Sequence, residues 1–146
     1  MTNPLLERNE LPPFRAILPN HVVPAVDQLL TANRQEITKL LEDNVCDWDG
    51  LIAVIEALND FLSQSFGPVS HMNSVVNTPE LRDAYNASLP KLSEYQTEMG
   101  QNADLFSAYQ SILTGPDFDT LDQAQKKSIE DAIRDFRLSG IDLPKK

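Results

Sequence analysis

The sequence predicts an all-α fold, with about five to six helices in one antiparallel, bundle-like domain after an extended, proline-rich arm. Apolar residues recur at helical spacing along most of the chain, and no stretch alternates apolar and polar residues as a strand would. A hydrophobic fraction of 41% with only 5 glycines in 146 residues is typical of a single folded domain. We therefore expect an arm over residues 1–18, packed on a helical domain over residues 19–146.

The arm is predicted from its prolines, which lie at positions 4, 12, 13 and 19. Proline lacks the backbone donor that a helix needs and holds the preceding residue extended. Four apolar side chains accompany them, at Leu11, Phe14, Ile17 and Leu18. A free tail gains nothing from such residues, so the arm is expected to pack on a neighbour.

The first two helices follow from apolar spacing. One is predicted from Asn20 to about Asp43, with Pro24 early enough for the first turn to tolerate it. The second is predicted to start after Asp47, a plausible N-cap, and to end at Gly67-Pro68. Residues 69–76 are expected to add a helical turn or two.

The third helix has a strong start signal. Thr78 can cap the free amides, Pro79 occupies a position where a missing N–H is harmless, and Glu80 suits the positive end of the helix dipole. Pro90 lies inside this helix and would remove the hydrogen bond to the Asn86 carbonyl, which predicts a kink without a break.

Two shorter helices complete the prediction. The fourth follows Gly100 and ends at Gly115-Pro116. The last is predicted to start at residue 119 or 120, because Thr120 and Gln123 have the spacing of a capping box, and to stop at Gly140.

Charge and cysteine content limit the partners. With 22 acidic against 12 basic residues the formal charge is −10, which disfavours nucleic acid and anionic membrane surfaces. A single cysteine, Cys46, cannot form an internal disulfide and fits a reducing compartment. Residues 1–18 hold charges and prolines where a signal peptide or membrane span needs an apolar run, so we expect a cytoplasmic protein.

No metal or cofactor site is predicted from the residues. The two histidines, His21 and His71, are 50 positions apart and lack the glutamate and second histidine of a zinc-peptidase helix. They could share a metal with a carboxylate, but capping or packing is the favoured role. Acidic residues cluster between the first two helices without calcium-loop spacing, which favours a solvated turn; they are Glu42, Asp43, Asp47 and Asp49.

No nucleophile or nucleotide site is predicted either. Cys46 shows no sign of thiolate activation, and Ser70 and Ser139 lack the strand-to-helix turn of a serine hydrolase. The glycines are too far apart to form a phosphate loop. Aromatic residues at helical intervals are interpreted as core; they are Tyr85, Tyr95, Phe106, Tyr109 and Phe136.

Several blocks of sequence resemble a known family. The segments 11–14 (LPPF), 21–27 (HVVPAVD), 68–77 (PVSHMNSVVN), 79–86 (PELRDAYN) and 92–95 (LSEY) are similar to the start of the oligopeptidase A, thimet oligopeptidase and neurolysin family of zinc peptidases. The blocks at 100–102 (GQN) and 133–140 (IRDFRLSG) extend the similarity almost to the end.

The resemblance implies a partial role. Members of this family bind zinc through a His-Glu-x-x-His helix and a further glutamate, and enclose a channel that admits short peptides. None of those positions exists here, so this chain alone is not expected to be an enzyme, and zinc and catalysis would come from the missing catalytic portion of the same polypeptide. The alternative is a free-standing acidic helical module that binds a protein partner through a groove between helices.

Overall fold

The computed structural model describes residues 3–7 and 14–141, and over these residues it contains helices and turns without a strand. The all-α, single-domain fold class is confirmed, with a helix count inside the predicted range. The five α-helices are α1 (Pro19–Glu42), α2 (Ala53–Val75), α3 (Pro79–Gly100), α4 (Ala103–Thr114) and α5 (Gln123–Leu138).

The arm is not simply extended where the structure describes it. A single 3-10 turn spans Pro4–Leu6, and the Asn3 side chain caps it by accepting a hydrogen bond from the Leu5 amide at 3.1 Å. The Asn3 amide group also donates to the His21 carbonyl at 2.8 Å, and Leu5 is only 4% exposed. The polar cap and the buried leucine together account for the turn, which the prolines alone did not predict.

The rest of the arm shows mixed burial. Ile17 is buried, whereas Phe14 and Leu18 remain 40% and 52% exposed. Leu11 lies outside the described residues. The division into an arm over 1–18 and a domain over 19–146 stays a prediction.

Helix α1 begins one residue earlier than predicted, with Pro19 in its first turn. Pro24 is consequently in the second turn and not in the first. Its missing N–H leaves the Asn20 carbonyl without the usual i+4 partner, and because Pro24 is exposed, water can satisfy that oxygen.

Helix α2 contradicts the predicted stop at Gly67-Pro68, because it continues through both residues to Val75. Pro68 and Val69 are both buried, and that burial outweighs the loss of one hydrogen bond. The start agrees with the prediction: Asp47 accepts a hydrogen bond from the Gly50 amide and caps a short π-helical segment, Trp48–Ile52, that leads into α2.

Helix α3 starts as predicted. The Thr78 hydroxyl accepts from the Leu81 amide at 3.2 Å, and Pro79 is the first helical residue. The helix passes through Pro90 without a break.

The start of α5 corrects the predicted capping box. Asp122, not Thr120, caps the helix: its side chain accepts from the Gln125 amide at 2.7 Å, and the Gln125 side chain accepts from the Asp122 amide at 3.0 Å. Thr120 ends a preceding 3-10 turn, Phe118–Thr120, and its hydroxyl donates to the Asp117 carbonyl.

The end of α5 is the predicted one. Gly140 has φ of 83°, a left-handed conformation that glycine adopts without steric cost. Its amide donates to the Arg137 carbonyl at 2.9 Å, and the Ile141 amide donates to the Phe136 carbonyl at 3.3 Å. These two bonds form a Schellman motif.

The chain forms two compact units: unit 1 is Met1–Glu36 with Ile55–Glu94, and unit 2 is Ile37–Val54 with Tyr95–Lys146. The chain passes between them inside α1, near the start of α2 and inside α3. Unit 1 has its own core, in which Phe66, Met72 and Tyr85 pack on buried side chains, namely Leu5, Ile17, Val22, Ala25, Val69 and Leu81.

Unit 2 is built around the packing of α4 on α5. The Phe136 ring lies 5.3 Å from that of Phe106 and 5.6 Å from that of Tyr109, measured between centroids. Ile129 is fully buried and Ile133 is 3% exposed, so α5 presents a continuous apolar stripe to this core.

Candidate functional surface

Each histidine has a local structural role. The His21 imidazole Nδ1 accepts a hydrogen bond from the Leu18 amide at 2.9 Å, which ties the arm to the start of α1. His71 is exposed on α2, and its ring lies 5.7 Å from the Phe14 ring. Among residues 3–7 and 14–141, no three histidine, cysteine or acidic side chains come together as they would to hold a metal ion.

The acidic loop and its thiol are open to solvent. Cys46 is an exposed free thiol, and the four acidic residues around it are exposed as well. Asp47 already uses its carboxylate to cap the segment before α2. The loop therefore serves as a polar connection between α1 and α2.

Ser70 and Ser139, the two serines considered as nucleophiles, lie in α2 and at the end of α5. Ser70 lies inside α2, where its carbonyl accepts from the Ser74 hydroxyl at 3.2 Å. Ser139 is the C-cap of α5, and its carbonyl accepts a hydrogen bond from the Gln101 side-chain amide. Neither serine is in the strained turn that activates a hydrolase nucleophile.

The aromatic residues are core residues, as the sequence predicted. Tyr95, Tyr109 and Phe136 are 3–7% exposed. Tyr85 is partly buried and stacks on Phe66 with centroids 5.6 Å apart and planes inclined by 10°. These rings pack in the helix cores of their own units.

Large apolar side chains are exposed at the carboxyl end of α2. Val75 is 68% exposed, Val76 is 55% exposed, and the Phe14 ring that contacts His71 is 40% exposed. This surface was not predicted from the sequence, because the second helix was expected to end at Gly67-Pro68. A signal was present: residues 61–79 contain no Asp, Glu, Lys or Arg.

An open surface depression lies along one face of α5. It is open to solvent and lined by Gln123, Lys126, Lys127, Glu130, Asp131 and Arg134. The Arg134 guanidinium donates to the Asp131 carboxylate at 3.0 Å, so part of the charge is already paired. Mixed charge on a single exposed helix face is typical of solvated surface and not of an enclosed site.

No helix in the described part of the chain is long and apolar enough to cross a membrane.

Comparison with known proteins identifies what these helices resemble. Residues 26–146 match the family model described as the N-terminal domain of neurolysin and thimet oligopeptidase. Oligopeptidase A of Escherichia coli (strain K12) is 49% identical over 146 residues, which cover 99% of this chain and 22% of the relative. Oligopeptidase A of Haemophilus influenzae is 45% identical over 98% of this chain and 21% of the relative.

A plant protein extends the similarity. A probable cytosolic oligopeptidase A of Arabidopsis thaliana is 32% identical over 97% of this chain and 20% of its own length. The chain thus spans about a fifth of the length of the curated relatives it matches. The resemblance seen in the sequence blocks is confirmed.

Proposed function

The chain belongs to the family of N-terminal domains of neurolysin and thimet oligopeptidase, and on that premise we propose that it is the amino-terminal helical domain of an intracellular zinc oligopeptidase that degrades short peptides. The observation that carries the proposal is the similarity to proteins named Oligopeptidase A over 99% of the chain. Because the chain spans about a fifth of those relatives, the chemistry is assigned to the remainder of the polypeptide.

The zinc of the proposed enzyme lies outside this segment. A zinc peptidase of the common type needs two histidines four residues apart on one helix face, with a glutamate beside the first. Here His21 and His71 are 50 positions apart and are engaged with Leu18 and Phe14. The residues of this chain do not fit the metal, so no step of peptide hydrolysis is assigned to them.

The role proposed for this domain is to form part of the wall of the substrate channel. Helices with well-buried cores, as in both units here, make a wall that does not yield to a bulky substrate. A narrow channel with such walls rejects by steric exclusion any protein that would have to unfold to enter.

The wall role is tested by cross-linking in the full-length polypeptide. A short, slowly cleaved peptide with a photoreactive group is bound, irradiated and mapped by mass spectrometry. We expect cross-links within residues 14–141 as well as in the remainder, and competition by an unlabelled peptide of similar length. Cross-links confined to the remainder would overturn the wall role.

The peptidase assignment has its own test. The full-length polypeptide should cleave short peptides, lose that activity to a chelator and regain it with Zn²⁺. A folded protein that contains the same peptide sequences should stay intact. Retained activity after complete zinc removal would contradict a zinc enzyme.

The cellular form of the chain is tested in lysate of the source cells. An antibody against this segment should detect a cytoplasmic band several times larger than 16.3 kDa. A single band at 16.3 kDa would favour the free-standing module instead. A cytoplasmic location is supported by Cys46, an exposed lone thiol that suits a reducing compartment.

A further inference from the structure

The exposed side of α2 carries no Asp, Glu, Lys or Arg over its later turns, within unit 1. Residues 61–79 contain no Asp, Glu, Lys or Arg although these four residue types make up 23% of the chain. Four exposed positions on α2 follow one another at intervals of four, which places them on one side of the helix; they are Ser63, Gly67, His71 and Val75. A face without Asp, Glu, Lys or Arg on a chain of net charge −10 resembles the core of a protein interface, where charged residues are depleted.

This face, which we call the α2 face, ends in apolar side chains. Val75 and Val76 are more than half exposed, and the Phe14 ring extends the apolar surface by its contact with His71. Water contact with several large apolar groups at one place is characteristic of a surface that another part of a protein covers.

Gly67 at the middle of the α2 face has no explanation inside the described chain. Its backbone is not left-handed, and a Cβ added there would meet no atom within 4 Å. The following Pro68 does not require it, because the helix-internal Pro24 and Pro90 follow a valine and a leucine. Glycine weakens a helix relative to alanine, so its use here points to a neighbour that approaches the backbone closely.

We propose that the α2 face is the surface on which the rest of the full-length oligopeptidase packs, with a segment of that polypeptide lying close to the Gly67 backbone. The occupant follows from length, because this chain covers 22% of Oligopeptidase A and most of that polypeptide lies outside it. The inference rests on the proposed function only in placing the chain within a longer polypeptide, and it requires neither zinc nor a channel.

Thiol labelling of the full-length polypeptide tests whether the α2 face is covered. Val75→Cys is compared with Ala57→Cys, both with Cys46→Ser; Ala57 is an exposed position in the first turns of α2, beside Glu56 and Asp60 and about 27 Å along the helix from Val75. In the folded polypeptide, the thiol introduced by Val75→Cys should react at least about tenfold more slowly than the thiol introduced by Ala57→Cys. A tenfold difference requires only a modest free energy of burial. In urea the two should react alike.

Two labelling outcomes would overturn the proposal. Equal rates in the folded polypeptide would show that the α2 face is open. Protection of Val75→Cys that disappears on dilution would show that a second copy of the chain covers it.

The sign of a stability change at Gly67 gives an independent test. On an open surface, Gly67→Leu should raise the folding equilibrium constant by about two- to fivefold, the ordinary gain on replacing a helical glycine. The Leu89-Pro90 pair in α3 shows that this fold accepts leucine before a helical proline. Under a closely packed segment, Gly67→Leu should lower the folding equilibrium constant, whereas Ala57→Leu should change it little.

A rise for Gly67→Leu in the full-length polypeptide would refute close packing there. The results of these tests can be distinguished from the results that test the proposed function. Peptide hydrolysis with a freely labelled Val75→Cys overturns this inference alone, and a protected Val75→Cys without hydrolysis overturns the peptidase assignment alone.

Discussion

Replacing Leu5 with alanine tests how firmly the arm is held on unit 1. Leu5 is 4% exposed and packs in the core with residues of α1, α2 and α3. Leucine-to-alanine changes in cores cost about 2–5 kcal/mol, and the lower end applies where neighbours can relax. Leu5 borders a void of about 10 Å³ and sits near the chain end, so we expect a loss of roughly 2–3 kcal/mol.

The assay is thermal unfolding of the 146-residue chain, followed by far-ultraviolet circular dichroism. For a chain of this size the expected loss corresponds to a fall in Tm of about 4–12 °C. Leu138→Ala is the matched control because Leu138 is 77% exposed, and its change should stay within about 0.5 kcal/mol. A fall of less than about 2 °C for Leu5→Ala would refute the reasoning that arm burial contributes to stability.

Two further substitutions probe α2 and α5. Ser65 is 6% exposed, and its hydroxyl has no hydrogen-bond partner among the described residues. In a urea titration, Ser65→Ala should therefore raise the free energy of unfolding by about 1 kcal/mol. A lower free energy of unfolding would reveal a partner for that hydroxyl. Asp122→Ala removes the capping box of α5 and should lower the free energy of unfolding by about 1 kcal/mol, whereas Thr120→Ala should lower it less. The reverse order would support a helix start at Thr120, as predicted from the sequence.

The start of α5 shows why a correct pattern can still give a wrong boundary. The sequence offers two overlapping capping boxes, at Thr120 with Gln123 and at Asp122 with Gln125. The structure selects the second because the Thr120 hydroxyl is engaged with the Asp117 carbonyl in the preceding 3-10 turn. Local spacing predicts that a helix begins here, but competition between neighbouring hydrogen bonds decides the residue.

The Gly67-Pro68 pair shows a different limit. Both residues disfavour helix by their local chemistry, and the prediction of a stop followed from that chemistry. The buried positions of Pro68 and Val69 overrule it, and burial is a property of the folded chain that no short window of sequence contains. By contrast, the start at Thr78-Pro79 was predictable because the cap, the proline and the helix are neighbours in sequence.

The candidate surface could be predicted from the sequence only in part. The charge-free run over residues 61–79 is visible in the sequence. That Val75 and Val76 are exposed while Val69 is buried depends on how α2 lies in unit 1, and this could be learned only from the structure.

The passage of the chain between the two units inside α1 and α3 bears on how this domain could have been inherited. Neither unit is one continuous stretch of sequence, since unit 1 takes residues 1–36 and 55–94 and unit 2 takes the others. A recombination breakpoint where the chain passes from one unit to the other, inside α1 or α3, would cut that helix. Each product would then hold only part of each core. An exchange of this part of a gene therefore preserves both cores only when it transfers the two units together.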